Sequence, residues 1–193
     1  MLDLIIKNGS CYIDKDLKNQ DIAVKDGKIV EIGKISGEAK EIFDAKNLTV
    51  LPGCIDTQTH FREPGSTDTE DLHSGSKAAI AGGITGVFEM PNTNPPTSNK
   101  LEFQKKLDLA KNRMYCNYAF YFGATADNGN ELADIKNLEG CCGIKLFAGS
   151  STGNLLVAKE EDIEKVFQNS PKVVAVHSED EDILIKNKKL IKN

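Results

Sequence analysis

The stretch "IDTQTHFREPG", Ile55 to Gly65, opens with an apolar residue, runs through alternating polar ones to His60, and ends in Arg62, Glu63 and a Pro-Gly turn. It marks a change of grammar. The residues before it read as short strands broken by turns: "LDLIIKNG", "CYID", "DIAVKDGKIVEIG" and "EIFDAKNLTVLPG". Within them "VKDGKIV" is an Asp-Gly turn between alternating apolar runs, a strong hairpin signal. After Gly53 short apolar strands alternate with helical segments: "CIDTQTHF", "LHSGSKAAIAGG", "ITGVFEMP", "NKLEFQKKLDLAKN", "YCNYAFYFGA", "NELADIKNL", "CGIKLFAGSS", "EEDIEKVFQNS", "KVVAVHSED" and "DEDILIKNKKLI". That alternation predicts βαβ units and a parallel sheet after a small all-β unit. Polar residues recur at the carboxyl ends of the strands, where both a doubly wound sheet and a barrel place their chemistry. An eight-stranded barrel takes about 250 residues. If the architecture is a barrel, residues 53–193 account for about five of its eight βα units.

The 193 residues are 39% hydrophobic and 27% charged, an ordinary balance for a folded globular chain. A net charge of -5 argues against nucleic acid, whose phosphates need a concentrated basic face. The one lysine-dense run, "KNKKLIKN" from Lys186 to Asn193, reads as a solvated helix face. Five cysteines without CxxC spacing fit a reducing compartment, with Cys141 and Cys142 as core filler. The start "MLDLIIKNGS" is too short in apolar residues for a signal peptide, and no window reaches the roughly 20 apolar residues that span a bilayer. The expectation is a cytoplasmic protein that does not engage membranes.

Four stretches carry polar groups that a fold alone does not require. In "DTQTHF", residues two apart on a regular strand share a face, which predicts Gln58 and His60 side by side. A lone strand histidine is ordinarily a core or surface residue; Arg62 and Glu63, held at the strand exit by the Pro-Gly turn, make His60 a candidate. In "VFEMPNTNPPT", residues 87–97, Asn92 follows a strand on a proline-stiffened loop, while Ser98 or Asn99 suffices to cap the next helix. In "CCGIKLFAGSSTGN", residues 141–154, Lys145 lies in an apolar strand, where an unpaired ammonium is costly. It either pairs with an acid or is carbamylated to a carboxylate able to bridge two cations. In "VVAVHSEDED", residues 173–182, His177 closes a β-branched strand. His60, Lys145 and His177 together form a strand-end constellation compatible with zinc. His73, in a helix, reads as structural or surface.

"PGCIDTQTHFREPG", "GGITGVFEMPNTNPPT", "GIKLFAGSSTG" and "VHSED", in this order, resemble the amidohydrolase superfamily, specifically dihydroorotases of the longer bacterial type and their relatives the allantoinases. The resemblance implies a (β/α)8 TIM barrel, here truncated after about five βα units, behind a β-sandwich segment at residues 1–52. It implies a zinc-dependent hydrolase of a cyclic amide, dihydroorotate, in pyrimidine synthesis, with one or two Zn(2+) per complete subunit. His60, Lys145 and His177 match metal ligands; Lys145 is also the catalytic lysine carbamylated in many members. Arg62 and Asn92 match groups that hold the substrate carboxylate, which a guanidinium grips in bidentate fashion. A small-molecule substrate is implied, with a homo-oligomer or aspartate transcarbamoylase as protein partner. Gln58 departs from the pattern, standing where the family has the first histidine of an HxH pair. It marks a variant mononuclear site or a catalytically silent homologue.

Overall fold

Asp26 and Gly27 both take positive φ, 51° and 71°, as the tight hairpin turn demands. They join β2 (Asp16–Lys25) to β3 (Lys28–Gly33) in the first of two compact units, Met1–Gly53, of a computed structural model that describes residues 1–191. This unit also holds β1 (Leu2–Ile13), β4 (Ala39–Asp44) and the short β5 (Thr49–Val50). The five strands form one mixed sheet, ordered β3-β2-β1-β4 with β5 also on β1. The antiparallel β1–β2–β3 ribbon and the parallel β1–β4 pair bury Ile5, Ala23 and Ile35.

The second unit begins at Cys54. It contains β6 (Cys54–Thr59), α1 (Leu72–Ala81), β7 (Ile84–Glu89), α2 (Lys100–Ala110), β8 (Asn117–Gly123), a 3-10 helix (Gly129–Ile135), β9 (Cys141–Phe147), α3 (Glu160–Asn169), β10 (Val174–His177) and α4 (Glu181–Lys188). All four pairings are parallel, in the order β10-β9-β8-β7-β6. Spatial order therefore repeats chain order. A doubly wound sheet reverses direction at a switch point; this sheet does not, and it curls as part of a (β/α)8 barrel. Among the described residues, β6 and β10 each pair on one side only.

The core lies between sheet and helices, with Phe103 of α2 fully buried against Phe120 and Phe122 of β8, and Ile144, Leu146 and Val166 beside them. Asn99, not Ser98, caps α2, its side chain accepting from the Glu102 amide. Asp71 caps α1 through a reciprocal bond with Ser74. The helix expected in "NELADIKNL" is instead a 3-10 turn. Leu132 and Ile135, three apart, eclipse on a 3-10 helix and are both buried there. The part of "KNKKLIKN" that the structure describes is exposed, in keeping with a solvated face, and its last two residues lie outside the described ones.

Candidate functional site

His60 leaves β6 half-buried, and its Nδ1 lies 2.9 Å from Asn92 Oδ1. With the amide oxygen as acceptor, Nδ1 carries the proton and Nε2 keeps its lone pair. Burial lowers the pKa of this imidazole; the Asn92 contact opposes the shift, and the charges of Arg62, Lys145 and Lys106 reinforce it. A neutral ring is the form able to ligate a metal.

Arg62 adopts a left-handed φ of 62°. Together with Asn92, Asn94 and Thr152 it lines a cleft of about 340 Å³. Three loops line the cleft, and the first two are joined where the Asn94 amide donates to the Pro64 carbonyl at 2.9 Å. Gly65, at φ 121°, is needed at that junction because a β-carbon would come within 3.0 Å of the Asn94 carbonyl. Asn92 thus belongs both to the cleft and to His60.

Glu63 goes elsewhere. Its buried carboxylate accepts from the two terminal nitrogens of Arg113 at 2.8 and 3.1 Å and from the Leu72 amide at 2.8 Å. The expectation that Gln58 and His60 share a face assumes a regular strand. The β6–β7 register shifts between Asp56 and Thr59, three steps on β6 matching two on β7, so a bulge interrupts the alternation. Gln58 is exposed within it, its amide donating to Asp56 Oδ1 at 2.9 Å.

Lys145 is 3% exposed, with its Nζ over the Phe147 ring, 5.1 Å from the centroid. No acid pairs with it among the described residues, and burial lowers its pKa. One strand over, His177 sits beside Phe147, ring centroids 5.9 Å apart, and its Nε2 meets Glu179 Oε2 at 2.5 Å. That contact holds the Glu179 carboxyl below its usual range. His60 therefore follows one edge strand, His177 ends the other, and Lys145 stands on the strand next to His177. Among the described residues no three His, Cys, Asp or Glu side chains converge on a metal-sized point. His73 is exposed and meets Tyr115 edge-on.

Sequence reasoning missed one buried pair, Glu89 at the end of β7 and Lys106 on α2, each no more than 1% exposed. Burial pushes the Glu89 carboxyl up to about 7 against the pull of Lys106, and burial lowers the Lys106 ammonium. A signal was available, since Lys106 shares its helix face with Phe103 and Ala110, at i+3 and i+7 spacing.

Residues 49–187 match the Amidohydrolase family. The chain belongs to the amidohydrolase family. Among its relatives in this family is a dihydroorotase of Methanosarcina mazei, 36% identical over 197 residues, covering 100% of this chain and 43% of that protein. An allantoinase of Escherichia coli O1:K1 is 40% identical over 149 residues, covering 77% of this chain and 33% of the other. The L-hydantoinase (dihydropyrimidinase) of Arthrobacter aurescens superposes with a TM-score of 0.90 at 29% identity, covering 98% of this chain and 44% of that one. The amidohydrolase chain described here thus spans less than half the length of these relatives. No helix among the described residues is long and apolar enough to cross a membrane.

Proposed function

We propose that this amidohydrolase chain supplies part of the active site of a cyclic amide hydrolase acting on dihydroorotate in pyrimidine synthesis, in the cytoplasm. The observation that carries the reading is Asn92, which lines the Arg62 cleft and meets His60 Nδ1 at 2.9 Å. A carboxylate gripped by Arg62 and Asn92 would place the rest of a small cyclic substrate beside that imidazole. The named relatives include a dihydroorotase at 36% identity over the whole chain.

Zinc fits the donors only in part. His60 presents a neutral ring with Nε2 open, His177 a second imidazole, and Lys145 a buried amine whose lowered pKa favours the neutral form that reacts with carbon dioxide. These three residues would hold the metal, one ion or two, with further ligands from elsewhere in the complete protein. When bound, the metal would polarise the amide carbonyl and acidify a water. The chain's own work is then to hold the carboxylate through Arg62 and Asn92 and to keep His60 in one tautomer through Asn92. Gln58, exposed and without a side-chain partner among the described residues, leaves this site short of one imidazole.

A second reading has a specific observation behind it, the allantoinase at 40% identity. Allantoin has no carboxylate. In the full-length protein, Arg62→Lys keeps the charge but loses the planar fork, so it should reduce turnover of dihydroorotate by at least tenfold more than that of an uncharged cyclic ureide. Equal losses on both substrates would remove Arg62 from carboxylate binding. Turnover of allantoin alone would select the second reading. No turnover of either, with no bound metal, would select a non-catalytic subunit that scaffolds a partner such as aspartate transcarbamoylase.

A further inference from the structure

The buried Glu89–Lys106 pair has no explanation in stability. Two ions removed from water cost several kcal/mol each, and an apolar pair of similar volume is commonly as stable or more so. Both groups feel that cost, Glu89 being driven toward its protonated form and Lys106 toward its neutral one by burial. What an apolar pair would not supply is a donor. Lys106 Nζ donates to the Met90 carbonyl at 3.0 Å, the backbone group immediately before Pro91 and Asn92.

The surrounding bonds show what that donor acts on. The Met90 amide donates to the Thr59 carbonyl at 2.9 Å, one residue before His60. Glu89 is registered against Thr59 across the β6–β7 ladder. The Pro91 carbonyl accepts from the Thr93 amide at 2.9 Å and from the Thr97 amide at 3.0 Å. The turn that carries Asn92 is therefore held on one side by its own loop and on the other by Lys106, which Glu89 keeps in place.

We infer that Glu89 and Lys106 are positioning residues, a buried pair that fixes the Met90–Asn92 turn and so keeps Asn92 on His60 Nδ1. Neither side chain of the pair lines the cleft. The pair acts through the Met90 carbonyl and the rigid proline that follows. The inference deepens the proposed function, because the residue it places is the one assigned to the substrate carboxylate. Its test needs no substrate.

The full chain, stripped of metal and labelled with 15N-histidine, is observed by NMR at a pH where imidazole is neutral, with the His60 signal assigned by its disappearance in His60→Gln. The parent should show the signature of a single tautomer, with the proton on Nδ1. The double variant Glu89→Leu/Lys106→Met should unfold at nearly the parent temperature yet lose that signature for the mixed Nδ1–H and Nε2–H exchange of a free imidazole. Pairwise packing alone would leave the tautomer unchanged whenever the fold is kept, and that result overturns the inference. If the leucine–methionine pair does not fold, Glu89→Met/Lys106→Met, which fills the space with two flexible apolar chains and leaves no donor, is judged by the same two outcomes. Failure to turn over dihydroorotate would count against the proposed function and leave this inference standing.

Discussion

Replacing Glu63 by alanine should destabilise the protein by an amount that the geometry fixes. Glu63 is 6% exposed and accepts three hydrogen bonds, two from Arg113 and one from the Leu72 amide. Leu72 is wholly buried at the first position of α1, and its N–H is one of those a helix start leaves without an internal partner. Asp71 serves the Ser74 amide instead, so the loss of Glu63 strands the Leu72 donor, at ~1–3 kcal/mol. The Arg113 side chain is 36% exposed and can return to water, so its bidentate pair is discounted to ~0–1 kcal/mol. The expected loss for Glu63→Ala is therefore about 1–4 kcal/mol. Glu63→Gln, which keeps a neutral acceptor for the Leu72 amide, should lose about 1 kcal/mol. Urea unfolding followed by circular dichroism measures both, with an unchanged m-value showing that the unfolded state is not altered. An alanine variant within ~0.5 kcal/mol of the parent would refute the assignment of Glu63 to the helix start.

Two further outcomes are expected. Phe103→Ala removes a fully buried ring packed against Phe120 and Phe122 and should cost ~3–5 kcal/mol in the same assay; a loss near 1 kcal/mol would mean that the helix–sheet layer closes over the gap. Gln58→His in the full-length protein should raise bound zinc per chain, because an exposed, unpartnered side chain two residues before His60 is free to become a second imidazole; the gain should vanish with Lys145→Ala, and metal analysis showing no gain, or one that survives that change, would count against a bridged pair of metals.

The strand–helix alternation was legible because it depends on periodicity, which survives in a single sequence. The Asp26–Gly27 turn was legible because few residue pairs tolerate positive φ in succession. The 3-10 turn after β8 was not, since Leu132 and Ile135 at i,i+3 spacing serve an α-helix equally well. Lys145 was singled out correctly as buried, but whether an acid met it depended on neighbours distant in sequence; among the described residues none does. Lys106 escaped notice for the opposite reason. A lysine in a charged helix such as "KLEFQKKLDLA" reads as surface until its face is traced through Phe103 and Ala110.

The exit of β6 shows where period-two reasoning stops. It assumes a regular ladder, and between Asp56 and Thr59 the ladder is bulged, so the side of Gln58 does not follow from the side of His60. Beyond the strand, the left-handed φ at Arg62 breaks any alternation between neighbours. Consecutive polar residues then take different destinations: Asp56 holds the bulge through the Gln58 amide, His60 meets Asn92, Arg62 lines the cleft, and Glu63 is buried at the start of α1. The cluster that looked in sequence like one site is thus a binding group and the anchor that holds it. Burying Glu63 under α1 with Arg113 ties down the backbone one residue after Arg62, so the guanidinium is presented from a fixed turn. An anchored turn loses less side-chain and backbone freedom when a ligand arrives. The density of polar residues in "THFREPG" therefore reflects both a charge that binds and a charge spent holding it still.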